Sequence, residues 1–151
     1  MKHYFLPLLI LLSSCAASQN TKVIDALVDE PNMTIETTSV KLNKTLQPAL
    51  TVYVNGDKGS VEKAWVAKLE KECNCDLDRS KGFYQASGVV FPVVSLETLS
   101  VYTQIEEDEK GAKLNLLADF GGKFMSQADT PTEATKFKAL INNFLKQFYV
   151  D

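Results

Sequence analysis

The residues best suited to covalent chemistry in this sequence are its three cysteines, because a thiolate is both a nucleophile and a ligand for soft metals. Cys15 follows an apolar run at the start of the chain, and Cys73 and Cys75 are separated by one residue in its middle. The chain has a single histidine, His3, so a thiol has few partners that could act as its base. What these cysteines can do therefore depends on the segments that position them.

The first cysteine ends a segment with the features of a signal peptide. A short start containing Lys2 precedes an apolar run over residues 5–12, which is too short to span a bilayer, and small residues follow. The Leu-Ser-Ser-Cys ending at 12–15 resembles the lipobox of bacterial lipoproteins, in which the cysteine is lipidated and becomes the N-terminus. The resemblance implies a signal peptide over residues 1–14 and a lipid on Cys15. The alternative is an ordinary signal peptide cut after Ala17 or Ser18, which would discard the cysteine.

Cleavage before Cys15 would remove His3, the only histidine of the chain. A mature protein without histidine excludes Ser-His-Asp and Cys-His catalysis and histidine-ligated zinc. Catalysis by carboxylates, lysine or cysteine stays open, but no clustered catalytic set is recognisable. We therefore expect no cofactor, no metal and, on balance, no enzymatic activity.

Cys73-Asn74-Cys75 could be a redox pair, two ligands of a soft metal, or a structural feature. A metal would still lack ligands, since no further free cysteine or histidine is expected in the mature chain. A disulfide across one residue closes a small, strained ring, and such bonds tend to be labile. The preferred interpretation is a pair of helix-end cysteines, oxidised in the cell envelope to close a turn.

The composition favours one acidic domain that binds neither nucleic acid nor anionic lipid by charge. The chain has 16 Lys and Arg against 19 Asp and Glu, and a formal charge of −3. Without a basic stripe it is a poor nucleic-acid binder, so membrane contact is expected through the lipid on Cys15 alone. Residues 15–22 are predicted to form a lipidated N-terminus and tether, and residues 23–151 a single α+β domain.

Alternating apolar residues predict most of the strands. Strands are expected over residues 34–42 and 50–54, separated by a turn at 43–47, and over 83–94, where Pro92 requires an edge or a bulge. A hairpin is predicted from residues 99–105 and 113–120. Its acidic turn at 106–111 is expected to stay in water rather than hold calcium, with Gly111 at positive φ. Residues 76–82 read as a loop.

Helical spacing predicts two long helices and a short one over residues 23–28. The first long helix should begin at a Ser60 cap and end near Cys73. Its apolar face is expected to consist of Val61, Ala64, Trp65, Val66 and Leu69. The second should begin at Thr130 and Pro131, with Glu133 completing a capping box. Its apolar stripe is made by Phe137, Leu140, Ile141, Phe144, Leu145 and Phe148. The element order predicts a two-layer α+β sandwich, a mainly antiparallel sheet with two helices on one face.

The segment from Val101 to Ser126, with its Asp-Phe-Gly-Gly motif at 119–122, is similar to a group of uncharacterised envelope proteins common in Bacteroidota. Residues 49–52 and 61–65 contribute to the same resemblance, which covers roughly residues 38–148. It implies an exported α+β domain of a Gram-negative cell. It transfers no activity and no functional residue.

These features together predict a lipid-anchored, non-enzymatic envelope protein whose domain binds a macromolecular partner or a small ligand. In the lipoprotein family a non-acidic residue after the lipidated cysteine, here Ala16, implies the outer membrane, and we expect the domain to face the periplasm. One alternative is an envelope thiol or redox protein that uses Cys73 and Cys75. Another is a carrier of an apolar ligand, which would need a cavity between the sheet and the helices.

Overall fold

The computed structural model describes residues 33–151 of the chain. The expected signal peptide, Cys15, the tether and the short helix predicted over residues 23–28 lie outside the described residues. The described elements are β1 (Glu36–Leu42), β2 (Thr45–Val54), α1 (Lys58–Cys73), β3 (Asp78–Ser80), β4 (Phe83–Phe91), β5 (Ser95–Asp108), β6 (Gly111–Asp119) and α2 (Pro131–Val150).

The strands form one antiparallel sheet in the order β1-β2-β6-β5-β4-β3. Alternate residues of β2, β5 and β6 point towards the helices and share a core with them. The predicted α+β sandwich, with its two helices on one face of the sheet, is therefore confirmed. Because β1 and β3 are the two edges of the sheet, every other strand has a neighbour on both sides.

Two tight hairpin turns replace longer irregular segments predicted from the sequence. Only Asn43 and Lys44 connect β1 to β2, and only Lys81 and Gly82 connect β3 to β4. All four residues have positive φ, between 49° and 83°, as the two-residue turns favoured in hairpins require. The predicted turn at 43–47 and the predicted loop at 76–82 are thus wrong in extent. Their polar residues pair with neighbouring strands, which a local pattern does not reveal.

The predicted hairpin of β5 and β6 is confirmed, but its turn is shorter than expected. The pairing continues to Asp108 opposite Gly111, so Glu106 and Glu107 belong to β5 rather than to the turn. Gly111 has φ +123°, as its position after the reversal requires. The backbone pairing of β5 with β6 continues through Glu106 and Glu107, and it outweighs the low propensity of glutamate for strands.

Strand β4 is bulged, but it ends at Phe91, so the strand predicted over residues 83–94 is wrong in extent and the bulge lies before Pro92 rather than at it. The pairing of β4 with β5 shifts register between Ala86 and Val89 and again before Phe91. Gly88, at φ +64°, lies within the first shift, and Pro92 itself lies in the turn after the strand. The missing N–H of Pro92 therefore removes no bond from the sheet.

Helix α2 begins where the sequence predicts, but α1 begins at Lys58, before the predicted Ser60 cap, and neither cap has the expected chemistry. Asp57 caps α1, because its Oδ1 accepts a hydrogen bond from the Ser60 N–H at 3.0 Å. Hydrogen bonding by the Ser60 side chain, together with this backbone bond, lowers the pKa of Asp57. Thr130 precedes α2, but its hydroxyl bonds to the backbone of Ser126 instead of capping the helix. The predicted Ser60 cap and the capping box with Glu133 are therefore wrong, since loop residues offer competing partners.

The larger core lies between the sheet and the helices and contains the predicted stripe of α2. Trp65 of α1 is fully buried, with its ring centroid 5.0 Å from that of Phe144. Its Nε1–H donates to Thr103 Oγ1 at 2.8 Å, and Thr103 Oγ1 donates to the carbonyl of Asn115 at 2.7 Å. The one polar atom of this large ring is thereby satisfied inside an apolar core.

A second, smaller core lies on the face of the sheet opposite the helices. Four buried side chains form it, with three half-buried ones against them: Leu42, Ala49, Phe83 and Leu117, with Val40, Tyr102 and Phe124. Leu42 belongs to one edge hairpin of the sheet and Phe83 to the other. Their presence in one cluster and in the lining of one cavity indicates that the sheet coils, so that its two edge hairpins approach each other across this face.

A polar chain crosses the same face beside the second core. The hydroxyls of Thr38 and Thr51 lie 2.6 Å apart, and Thr51 donates to Asn115 Oδ1 at 2.8 Å. Asn115 in turn donates to Glu106 at 3.3 Å, and Lys113 pairs with the same carboxylate. Because each link joins a different strand, the chain favours one register of β1, β2, β6 and β5.

Candidate ligand-binding site

The two cysteines singled out in the sequence lie together at the end of α1. Cys73 is the last residue of the helix, and Asn74 takes the left-handed conformation at φ 48°. The N–H groups of Asn74 and Cys75 bond to the carbonyls of Lys71 and Glu70, which closes the last turn of the helix. The structure joins the two cysteines in a disulfide with 5.2 Å between their Cα atoms, and both side chains are half-buried.

Replacing both Cys73 and Cys75 with serine is expected to lower the free energy of unfolding by no more than about 1 kcal/mol. The disulfide closes a loop of one intervening residue, so it restricts the unfolded chain very little. Chemical denaturation of the full chain and of the double variant measures the difference. A larger loss would show that the disulfide is needed to hold the end of α1 against the core.

The acidic end of the β5–β6 hairpin provides no ready metal site. Within residues 33–151, no group of three or more Cys, Asp or Glu side chains is close enough to hold a metal ion. The carboxylate of Glu106 is engaged by Asn115 and Lys113, and Asp108 accepts a hydrogen bond from the Lys110 N–H. The described acidic side chains of this hairpin thus have protein partners or face solvent.

A polar cavity of ≈ 350 Å³ lies on the helix-free face, next to the second core. We call it the basic cavity. Its lining comprises six polar residues and three with apolar or aromatic surface: Lys41, Asn43, Ser80, Lys81, Gln85 and Ser87, with Leu42, Phe83 and Tyr102. No Cys73, Cys75 or acidic-turn residue lines it. The motifs of the sequence therefore do not indicate this cavity.

The basic cavity is built by the two edge hairpins of the coiled sheet. Lys41 and Asn43 come from the β1–β2 hairpin, and Lys81 comes from the β3–β4 turn. Tyr102, on β5 between them, contributes its ring to the floor. Asn43 and Lys81 hold the positive φ that two-residue hairpin turns require, so the backbone at both ends of the cavity is tightly constrained. The site thus depends on two rigid turns rather than on a long loop.

The charge of the basic cavity differs from that of the whole chain. Lys41 and Lys81 line it, and no carboxylate does so among the described residues around it. The full sequence nevertheless has more acidic than basic residues. A concave site with one sign of charge concentrates ligands of the opposite sign, so the cavity favours anions.

Two other concave surfaces formed by residues 33–151 have different chemistry. A groove of ≈ 490 Å³ between the outer sides of α1 and α2 is mainly apolar, with Ala64, Phe144 and Phe148 in its lining. The cavity that an apolar carrier would need between sheet and helices is not observed in the described part of the chain, where core side chains occupy that space.

A third depression, beside α1 and β4, has mixed charge. There the Tyr84 hydroxyl donates to Glu62 Oε1 at 2.6 Å, and Arg79 lies over the Tyr84 ring. The hydrogen bond to Glu62, assisted by burial, raises the pKa of Tyr84 above its usual value. Its lining mixes two cations, Lys58 and Arg79, with three glutamates, so this depression is less suited to capturing a ligand of one charge.

In comparisons with known proteins, no family model matches this chain, and neither a curated protein nor a solved structure matches it. Of the helices formed by residues 33–151, neither is long and apolar enough to cross a bilayer. The function must therefore be inferred from the residues and the geometry of the site itself.

Proposed function

We propose that this protein is a lipid-anchored, non-enzymatic component of the cell envelope whose domain binds a ligand in the basic cavity. The lipid on Cys15 holds it at the outer membrane, and the domain faces the periplasm. The single observation that carries the binding role is the basic cavity, with two lysines and no carboxylate among its described lining. A small molecule or an exposed group of a macromolecule would fit this role equally.

The chemistry of the lining supports binding rather than catalysis. The described residues around the basic cavity offer ammonium, amide and hydroxyl groups, none of which is a ready general base near neutral pH. Amides and hydroxyls donate and accept hydrogen bonds without changing their protonation state. A site of this kind recognises its ligand by shape, hydrogen bonding and charge.

The envelope location is supported by the sequence around Cys15. The apolar run and the Leu-Ser-Ser-Cys ending resemble a lipoprotein signal, and residue Ala16 is non-acidic. A disulfide between Cys73 and Cys75 is compatible with an oxidising compartment such as the periplasm. Because the chain has a net negative charge, electrostatic attraction to anionic lipids does not contribute to membrane attachment.

Protein extracted from membranes is expected to have an intact mass that matches a chain starting at Cys15 and carrying diacylglyceryl or triacyl modification. Cys15→Ala should release the protein from the membrane or mislocalise it, because the remaining tether has no apolar anchor of its own. Cys73→Ala is the matched control and should leave the lipid in place. A soluble wild-type chain that starts at Ala16, Ser18 or Gln19 would contradict the lipid anchor.

The two alternatives predict different behaviour. A thiol or redox protein would cycle Cys73 and Cys75 readily with a mild reductant and show a lowered thiol pKa. An apolar-ligand carrier would bind a long-chain fatty acid in the groove between α1 and α2. Since Phe144 lines that groove and contacts Trp65, such binding would change the fluorescence of Trp65 without depending on Lys41 or Lys81.

A further inference from the structure

We infer that the basic cavity binds an anionic saccharide, that is, a sugar carrying an acidic group. This inference rests on the proposed function and specifies its ligand. It is carried by three properties of the cavity: the sign of its charge, its number of neutral hydrogen-bonding groups, and the aromatic surface on its floor.

The charge selects an anion. Lys41 and Lys81 belong to separate edge hairpins, so the cavity has a lysine in its lining from each edge of the sheet. No carboxylate among the described lining residues neutralises them. Both side chains are exposed, so their attraction for the ligand is sensitive to salt. They therefore act mainly on the rate and specificity of capture.

The neutral groups select a ligand with several hydroxyls. Asn43 and Gln85 contribute amides, and Ser80 and Ser87 contribute hydroxyls. Each of these groups both donates and accepts hydrogen bonds, which is also true of a sugar hydroxyl. Inorganic phosphate near neutral pH offers only one or two O–H donors beside its acceptor oxygens, so it matches fewer of these groups than a sugar with several hydroxyls does. An array of this composition thus fits a polyhydroxylated ligand better than a simple ion.

The floor of the cavity offers apolar surface beside the polar groups. Tyr102 is half-buried, and its ring centroid lies 6.4 Å from that of Phe124, which supports it from the second core. Phe83 lies in the same cluster and also lines the cavity. A sugar ring has an apolar C–H face as well as polar edges, so it can pack on such a ring while its hydroxyls bond to the rim.

The size of the cavity limits the ligand to a short saccharide or to the end of a longer one. Its volume of ≈ 350 Å³ is near the lower end of the range of about 300–1,000 Å³ for small-molecule sites. The turns that border it are short and paired on both sides, so we expect little rearrangement on binding.

The test is titration calorimetry on the full chain in a non-ionic detergent, with matched pairs of probes. Digalacturonate is compared with neutral maltose, glucose 6-phosphate with glucose, and inorganic phosphate is added alone. One or both charged sugars are expected to bind at least about tenfold more tightly than the neutral match, and more weakly as salt is raised. The charged sugar that binds identifies the acidic group.

Variants connect the binding to the cavity. Lys41→Ala with Lys81→Ala should weaken binding of the charged sugar by at least about tenfold, equivalent to about 1.4 kcal/mol. Replacing both Ser80 and Ser87 with alanine should also weaken binding of the charged sugar, because it removes two hydroxyl groups while the charge of the cavity stays the same. Lys63→Ala with Lys136→Ala is the matched control, since both lysines are exposed on the helices, and should leave binding unchanged. Thermal unfolding verifies that each variant is folded.

The possible failures are distinguishable. Cavity-dependent binding of phosphate alone, or of neutral and charged sugars equally, would retain the basic cavity as a binding site but overturn the anionic saccharide. Absence of binding by every probe would overturn the inference, while the lipid anchor keeps its own test by mass. Binding that survives the Lys41 and Lys81 changes but is lost in the control variant would place the site elsewhere and overturn the role of the basic cavity.

Discussion

Phe144→Ala is expected to lower the free energy of unfolding by about 3–5 kcal/mol. Phe144 lies in the middle of α2, is 3% exposed, and packs between the rings of Trp65 and Phe148 at centroid distances of 5.0 and 5.7 Å. Truncation removes burial and ring contacts, and it opens space beside Trp65, whose Nε1–H is fixed to Thr103. Because that bond restrains the indole, the core cannot easily collapse into the gap.

Asn142→Ala is the control for this prediction. Asn142 lies two residues away on the same helix and is exposed, so its change should alter stability by no more than about 0.5 kcal/mol. Urea denaturation followed by circular dichroism measures both variants. Equal shifts of the two midpoints would mean that the face of α2 that packs on the sheet has been assigned wrongly.

Gly111→Ala is expected to be comparably severe, with a loss of about 3–5 kcal/mol, since backbone strain and overpacking each cost about 1–3 kcal/mol. Gly111 begins β6 at φ +123°, a conformation that L side chains rarely adopt. A Cβ there would overlap the carbonyl oxygen of Val54 and lie 3.0 Å from the backbone nitrogen of Gly56. These are backbone atoms, so the end of β2 would have to move.

Gly122→Ala separates strain from overlap. Gly122 also has positive φ, at +97°, but a Cβ at that position meets no atom within 4 Å. Its substitution should therefore cost only the backbone strain, about 1–3 kcal/mol, without the added cost of overpacking. Thermal unfolding of both variants gives the comparison. Equal stability of the Gly111→Ala and Gly122→Ala proteins would contradict the prediction. It would mean that the end of β2 moves to accommodate the new Cβ without lowering the free energy of unfolding.

The helices and the central hairpin could be predicted from the sequence because their signals are local. The stripe of α2 repeats every three or four residues, and five of its six members are buried as expected while Phe148 is half-buried. The alternation of β5 and β6 likewise fixes which residues face the helices. The predicted helix caps and turns were less accurate. At the caps, Asp57 and Ser126 supply hydrogen-bond partners that a hydrophobic periodicity does not indicate.

The candidate site could not be predicted, although each of its residues is visible in the sequence. The Lys81-Gly82 pair is a recognisable turn signal, but β3 is too short to be distinguished from a loop. Lys41 and Lys81 are forty residues apart and lie on opposite edges of the sheet. Nothing local indicates that they border one cavity.

The sequence by itself determined the α+β class, the inward faces of the helices and the hairpin, and the segment around Cys15 that motivates the lipid anchor. These follow from periodicity and short motifs, which act over a few residues. Only the tertiary structure decided how far the sheet coils. That coiling depends on the summed twist of six strands and on the contact of Leu42 with the cluster that contains Phe83. Because it is a property of the whole sheet, the second core and the basic cavity are known only once the chain is folded.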